Sequence, residues 1–133
     1  VNVSKFGTRL AGVGGFVNIS QNAKRVIFCG TMTSGGLETR VEEGRLVIAA
    51  EGRNRKFLKQ VEQVSFSGRL AGEAGKDVLY VTERAVFRLL PVGLQLIELA
   101  PGIDLQKHVL DVMDFKPLIG DIKPMPEYLF HHD

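Results

Sequence analysis

The chain has a single cysteine, Cys29, among 133 residues. A lone thiol excludes a disulfide framework and a CxxC metal site. It lies in the apolar run Arg25-Val26-Ile27-Phe28-Cys29-Gly30, where a buried, inert thiol is expected. No stretch approaches the ~18 consecutive apolar residues of a membrane span, and no signal-peptide pattern is visible. Charge of one sign is lacking too: 17 Lys and Arg against 15 Asp and Glu leave +2. With no basic stripe interleaved with aromatics, that balance gives no footing for nucleic-acid binding. The three histidines, His108, His131 and His132, never fall at H-x-x-x-H or H-E-x-x-H spacing, so no metal centre is expected. Nothing supports a Cys29–His108 nucleophile pair either. These absences leave a soluble, cytoplasmic protein as the expectation.

What is present suits a globular fold. Hydrophobic residues make up 44% and charged residues 24%, enough to bury a core in one domain spanning 1–133. The first residues, Val1-Asn2-Val3-Ser4, read as the end of a strand, as though cut from something larger. Residues 16–23 are expected to form two helical turns, and residues 26–32 a core strand. Glu42-Glu43-Gly44-Arg45 reads as the turn of one hairpin, and Pro91-Val92-Gly93 as that of a second. Residues 53–59 form a basic connector with Arg53, Arg55, Lys56 and Lys59, and charged connectors are ordinarily just solvated. Residues 60–66 alternate as a half-buried strand does, a loop with Gly68, Gly72 and Gly75 follows, and residues 77–81 read as a further strand. Asp104 is placed to cap a helix running to about Asp114. The tail, 116–133, carries Pro117, Pro124 and Pro126 and is expected to be extended and irregular. Arg9-Leu10-Ala11-Gly12 recurs as Arg69-Leu70-Ala71-Gly72, but the surroundings differ and the match reads as coincidence.

The most informative stretch is Gly12-Val13-Gly14-Gly15-Phe16. Three glycines in four residues remove Cβ atoms where backbone must turn sharply or approach something closely. If residues 16–23 are helical, Gly14 and Gly15 lie where orphan N–H groups collect. Such groups suit an anion, either a phosphate or the oxyanion of acyl transfer. Equally, three glycines suit a loop that simply passes close to a sheet without holding any ligand. A dinucleotide fingerprint fails, because Val17 occupies its third glycine position and the preceding residues are too polar for a buried strand. No P-loop run exists.

Three segments in order carry a resemblance: Gly12-Val13-Gly14-Gly15 before an apolar strand, Val81-Thr82-Glu83-Arg84-Ala85-Val86-Phe87, and Leu96-Ile97-Glu98-Leu99-Ala100-Pro101-Gly102-Ile103. Together they resemble the C-terminal part of family I CoA-transferases of the acetate/propionate/acetoacetate type, from Val3 to about Leu118. The resemblance implies an α/β fold, an open, strand-rich sheet with flanking helices, as in the C-terminal part of a CoA-transferase β-domain. It implies covalent catalysis in which a glutamate attacks an acyl-CoA thioester, so that CoA passes between short-chain carboxylic acids. It also implies that Gly14 and Gly15 lend backbone amides to the oxyanion, a kind of donor worth ~3 kcal/mol of barrier. Gly12, Val13 and Phe16 would line the acyl or pantetheine path. CoA and acyl-CoA would be substrates, with no permanently bound cofactor.

The family's nucleophilic glutamate precedes its glycine motif, and no Glu precedes Gly12 here. Glu42, Glu43 and Glu51 read as exposed turn charges, and Glu83 as a salt-bridge or hydrogen-bond partner. The 133 residues alone are therefore expected to be inactive, the partners being acyl-CoA, a carboxylate, a missing N-terminal portion or α-subunit, and a second copy of the chain. A non-catalytic CoA-binding or assembly module is the alternative.

Overall fold

The computed structural model describes residues 5–6, 8–10, 12–60 and 66–131. In chain order, β1 (Lys5–Phe6) and β2 (Arg9–Leu10) form a minimal antiparallel ribbon before α1 (Phe16–Asn22) and β3 (Arg25–Cys29). Next come β4 (Thr33–Ser34), the hairpin of β5 (Glu38–Glu42) and β6 (Arg45–Ala50), and β7 (Asn54–Arg55), which pairs back on β4. Then follow α2 (Gly68–Glu73), β8 (Asp77–Val81), β9 (Ala85–Leu90), β10 (Gly93–Leu99), α3 (Leu105–His108) and β11 (Leu118–Pro124).

Five strands make the central sheet, in the order β11-β10-β9-β8-β3. The middle three form an antiparallel meander, while β3 joins β8 and β11 joins β10 in parallel. The mixed α/β fold, strand-rich with few helices, matches the fold class expected from the sequence. Parallel neighbours require a long crossover. Between β3 and β8 that crossover carries the two side ribbons and α2.

β9 lies at the centre, and its alternation divides the core. Ala85 and Phe87 join Met32, Leu96, Val109 and Met113 in one cluster, while Val86 joins Leu46, Ala100, Met125 and Phe130 in another. A third cluster, Phe66, Ala71 and Val78, packs with Phe16, Val26 and Phe28 where α1 and α2 meet the sheet.

Both hairpins form where the turn residues place them. Glu43 and Gly44 have φ of 51° and 73°, so the first hairpin closes on two left-handed residues whose twist matches the flanking strands. The second pairs Gly93 with Leu90 across Pro91-Val92.

Several expectations are corrected. Residues 26–32 do not form a central strand: β3 ends at Cys29 and is the sheet's edge, so Ile27 is 53% exposed. Cys29 is exposed, not buried, because it shares Ile27's uncovered face. The glycine-containing stretch after residue 67 is α2 rather than a loop. It is capped by the Ser67 side chain, which accepts from the Leu70 amide, and Gly72 lets it pack on Leu90 and Pro91. The helix begun by Asp104, whose carboxylate accepts from the Lys107 amide at 2.7 Å, runs only to His108. Val109, at φ −122° and ψ −65°, then breaks it into a 3-10 turn, which still brings Val109 and Met113 into the core. The tail is not irregular: Leu118–Pro124 is an ordered edge strand, and Pro124 stands at its end, where a missing donor is tolerated. Residues 69–72 are helical whereas Arg9–Leu10 is strand, as coincidence requires. Val1-Asn2-Val3-Ser4 and most of the strand expected over 60–66 lie outside the described residues.

Candidate functional site

Phe16 opens α1, Phe28 lies near the end of β3, and their ring centroids are 5.9 Å apart. With only Ala23 and Lys24 between helix and strand, the start of α1 must lie beside the end of β3. Phe28 also stacks on Tyr80 at 5.1 Å and meets the Phe66 edge at 5.1 Å. Burial pushes the Tyr80 hydroxyl up to about 12, so the ring remains neutral in this apolar stack. The aromatic group thereby fixes the Gly12–Gly15 loop at the carboxyl end of the parallel β3–β8 pair. That is the end where open α/β sheets hold ligands.

Within the loop, Gly12, Gly14 and Gly15 are exposed and Val13 and Phe16 half-buried. Gly14 has φ +55°, a left-handed conformation that side chains disfavour. Gly15 caps α1 at φ −75°, and the Val13 carbonyl accepts the Phe16 amide at 3.1 Å. The Gly14 and Gly15 amides have no acceptor among the described residues. A Cβ at Gly12 or Gly14 would meet nothing within 4 Å, so open space faces both. The five residues named from the sequence thus form one contiguous surface.

The carboxylates behave differently from one another. Arg84 is fully buried, and its Nη1 and Nη2 reach Glu51 Oε2 and Oε1 at 2.6 and 2.9 Å. Its Nε donates to Glu83 Oε1 at 2.8 Å, and Nη1 also donates to the His108 carbonyl at 3.0 Å. Glu83 Oε2 accepts the Met32 amide, and Glu51 accepts the Thr33 hydroxyl and the Gly52 amide. Burial alone would raise the Glu51 pKa, but the Arg84 and Thr33 hydrogen bonds and the Arg84 charge outweigh it and hold the carboxyl below its usual value. Burial would lower the Arg84 pKa, but Glu51 and Glu83 together raise it.

Glu83 fills the pairing role expected of it. Glu51 is exposed, as expected of a turn charge, but it is not free: its carboxylate is clamped by the buried Arg84. Thr82-Glu83-Arg84 is a polar break that sets Glu83 directly beside Arg84, but a buried guanidinium also needs a partner for its two Nη groups. Only the fold shows that Glu51 supplies it. Glu42 remains a surface residue, paired with Arg40 at 3.0 Å.

His108 Nδ1 accepts the Asp104 amide at 3.0 Å, so that nitrogen is engaged in the turn and not with Cys29. His131 lies against Gly44, on the hairpin away from the glycine loop. No group of three metal-ligating side chains occurs among the described residues, and no helix of theirs is long and apolar enough to cross a membrane.

No family model matches the chain. It is 52% identical over 131 residues to the acetate CoA-transferase YdiF of Escherichia coli K12, covering 98% of this chain and 25% of that protein. It is 51% identical over 136 residues to the caffeate CoA-transferase of Acetobacterium woodii, covering 98% of this chain and 26% of that one. The solved acyl-CoA transferase YdiF of Escherichia coli O157:H7, in a thioester complex with CoA, superposes with a TM-score of 0.94 at 52% identity over 98% of this chain and 26% of its own. The chain therefore spans about a quarter of the length of the relatives it matches. In sequence and in fold, it is a homologue of a segment of the CoA-transferases, the family its motifs resemble.

Proposed function

We propose that the chain is the C-terminal portion of an acyl-CoA:carboxylate CoA-transferase. In this reading the Gly14 and Gly15 amides donate to the oxyanion that forms as CoA passes between short-chain acids. The observation that carries it is 52% identity over 98% of the chain, with a TM-score of 0.94, to an acyl-CoA transferase solved as a CoA thioester. The exposed glycine amides support it, since an oxyanion site needs unengaged donors on fixed backbone. Gly12, Val13 and Phe16 line the approach of the acyl or pantetheine group.

The nucleophile in this reading is a glutamate from a partner segment, either an N-terminal portion or an α-subunit. Glu51 and Glu83 are held by Arg84, and neither is free to attack a thioester. The outer side of β3 and the exposed Ile27, Val17 and Ile19 are where that partner, or a second copy, would dock. A soluble cytoplasmic setting with CoA as a freely exchanging substrate completes the proposal.

The test has two measurements. The 133 residues alone should show no CoA exchange between acetate and an acyl-CoA, whereas a chain that also supplies the glutamate should show it and lose it when that glutamate becomes Gln. Turnover by the 133 residues alone would overturn the division of labour. A second reading, a CoA-binding module without chemistry, predicts calorimetric CoA binding tighter than about 1 mM by this chain unaided.

A further inference from the structure

Lys56 is one of several cations with no carboxylate partner among the described residues, and it is set apart by the backbone it lies against. Arg25, Arg55, Arg69 and Arg84 have each found a carboxylate, but Lys56 has none among the described residues. Its ammonium instead rests on backbone: a Cβ built on Gly30 would lie 3.2 Å from Lys56 Nζ. The head group therefore occupies the space where residue 30 would carry a side chain. It donates to Thr31 Oγ1 at 3.4 Å, and that hydroxyl donates in turn to the Thr33 carbonyl at 2.6 Å. An ammonium has three donors, and the other two have no acceptor among the described residues.

The position of this seat follows from strand geometry. The Gly30 amide donates to the Val81 carbonyl at 3.0 Å, which extends the β3–β8 ladder one residue past Cys29. Val26, Phe28 and Gly30 then share one face. Phe28 on that face carries Phe16, the last residue of the glycine loop. Gly30, two residues further on, carries the Lys56 ammonium, about 7 Å beyond Phe28 along the strand. The cation and Phe16, which ends the glycine loop, thus lie on the same face at the carboxyl end of the parallel pair.

We infer that Lys56, steadied by Thr31 and admitted by Gly30, is an anchor for anionic oxygens arriving at that end of the sheet. The ligand chemistry is a carboxylate or a phosphate. The first would be the acid substrate and the second a phosphate of CoA, an identification that rests on the acyl-transfer reading. The anchor itself rests on the Gly30–Thr31–Lys56 geometry alone.

The experiment is a chemical-shift titration of the 133-residue chain with sodium acetate and, separately, sodium phosphate, each at constant ionic strength. The amides of Gly30, Thr31 and Lys56 are expected to shift saturably in the millimolar range. Lys56→Gln should weaken that response at least tenfold with the rest of the spectrum unchanged, and Lys56→Arg should retain it. A response to acetate alone assigns the site to a carboxylate, and one to phosphate alone assigns it to a phosphate. An unchanged titration in Lys56→Gln, or no shift at these amides with either anion, overturns the anchor. A parallel titration with CoA separates the two readings. CoA binding that ignores Lys56→Gln excludes a CoA phosphate as the ligand and leaves the carboxylate assignment to the acetate titration. Acetate or phosphate binding at Lys56 that is lost in Lys56→Gln establishes the anchor, whereas the acyl-transfer proposal stands or falls with exchange by the chain that also supplies the glutamate.

Discussion

Arg84 and Glu51 form a two-point ion pair, at 2.6 and 2.9 Å, between a fully buried guanidinium and a carboxylate that is 32% exposed. The pair ties the turn between β8 and β9 to the segment leaving β6. Through the Thr33 hydroxyl it also holds the segment that follows β3. Removing one partner of a buried pair strands the other charge, at a cost of about 3–5 kcal/mol. Glu51 keeps some water, so Glu51→Ala is expected at the low end, about 3 kcal/mol, and Arg84→Met, which strands two carboxylates, nearer 4. Urea unfolding at pH 7 should show both as lowered midpoints with unchanged slope. Midpoints within experimental error of the parent would contradict the clamp.

The same pair sets a pH dependence. Glu51 has a lower pKa folded than unfolded, so its contribution is fully present above the unfolded value of about 4.3 and is lost as pH falls through the folded value. Melting temperature should therefore drop on acidification from pH 5 towards pH 3. In Glu51→Gln that part of the drop should be missing, which makes its profile flatter. Parallel profiles for the two proteins would show that Glu51 carries no such linkage.

Gly14 and Gly12 should respond differently to alanine. At φ +55° a Cβ on Gly14 is strained by about 1–2 kcal/mol although nothing crowds it, whereas the φ of Gly12 lies outside that region and its space is open. Gly14→Ala is expected to lower stability by about 1 kcal/mol or more and Gly12→Ala to leave it nearly unchanged. Calorimetric melting of the two variants side by side makes the comparison.

Cys29 is exposed on the edge strand. Under native conditions it should react with a small disulfide reagent completely, at a rate that denaturant increases only slightly. Protection until global unfolding would place the thiol in the core after all.

Phe28→Ala should release the glycine loop, because Phe16 then loses the ring that seats it. Stability should fall by about 2 kcal/mol, below the range for a fully buried ring. Hydrogen exchange at Phe16 and Ile19, whose amides close the first turn of α1, should speed up more than exchange in β9.

Much of the fold was legible because it is locally encoded. Gly44 behind Glu43 and the Pro91-Val92-Gly93 turn set both hairpins through backbone preference. Asp104 set a helix start through its carboxylate, and 77–81 set a strand through its apolar run. What escaped sequence reasoning was where each element would lie. The run at 25–29 looks central by composition, yet it is an edge. The prolines of the tail suggested irregularity, yet Leu118–Pro124 pairs in parallel with β10, since an edge strand can spare a donor at its end. The glycines near residue 70 suggested a loop, but contact with Leu90 and Pro91 rewards a helix there.

The sequence by itself determined the family likeness and the glycine loop, because both are carried by contiguous residues whose backbone demands are local. It also marked Glu83 for a salt-bridge or hydrogen-bond role, next to an Arg84 that needs a further acidic partner once buried. Only the tertiary structure decided that the partner is Glu51, 33 residues earlier, that Cys29 faces outward, and that the Lys56 ammonium sits on Gly30. Those outcomes depend on which strands become neighbours. Neighbouring is fixed by the summed burial of the whole sheet and not by any one segment's preference.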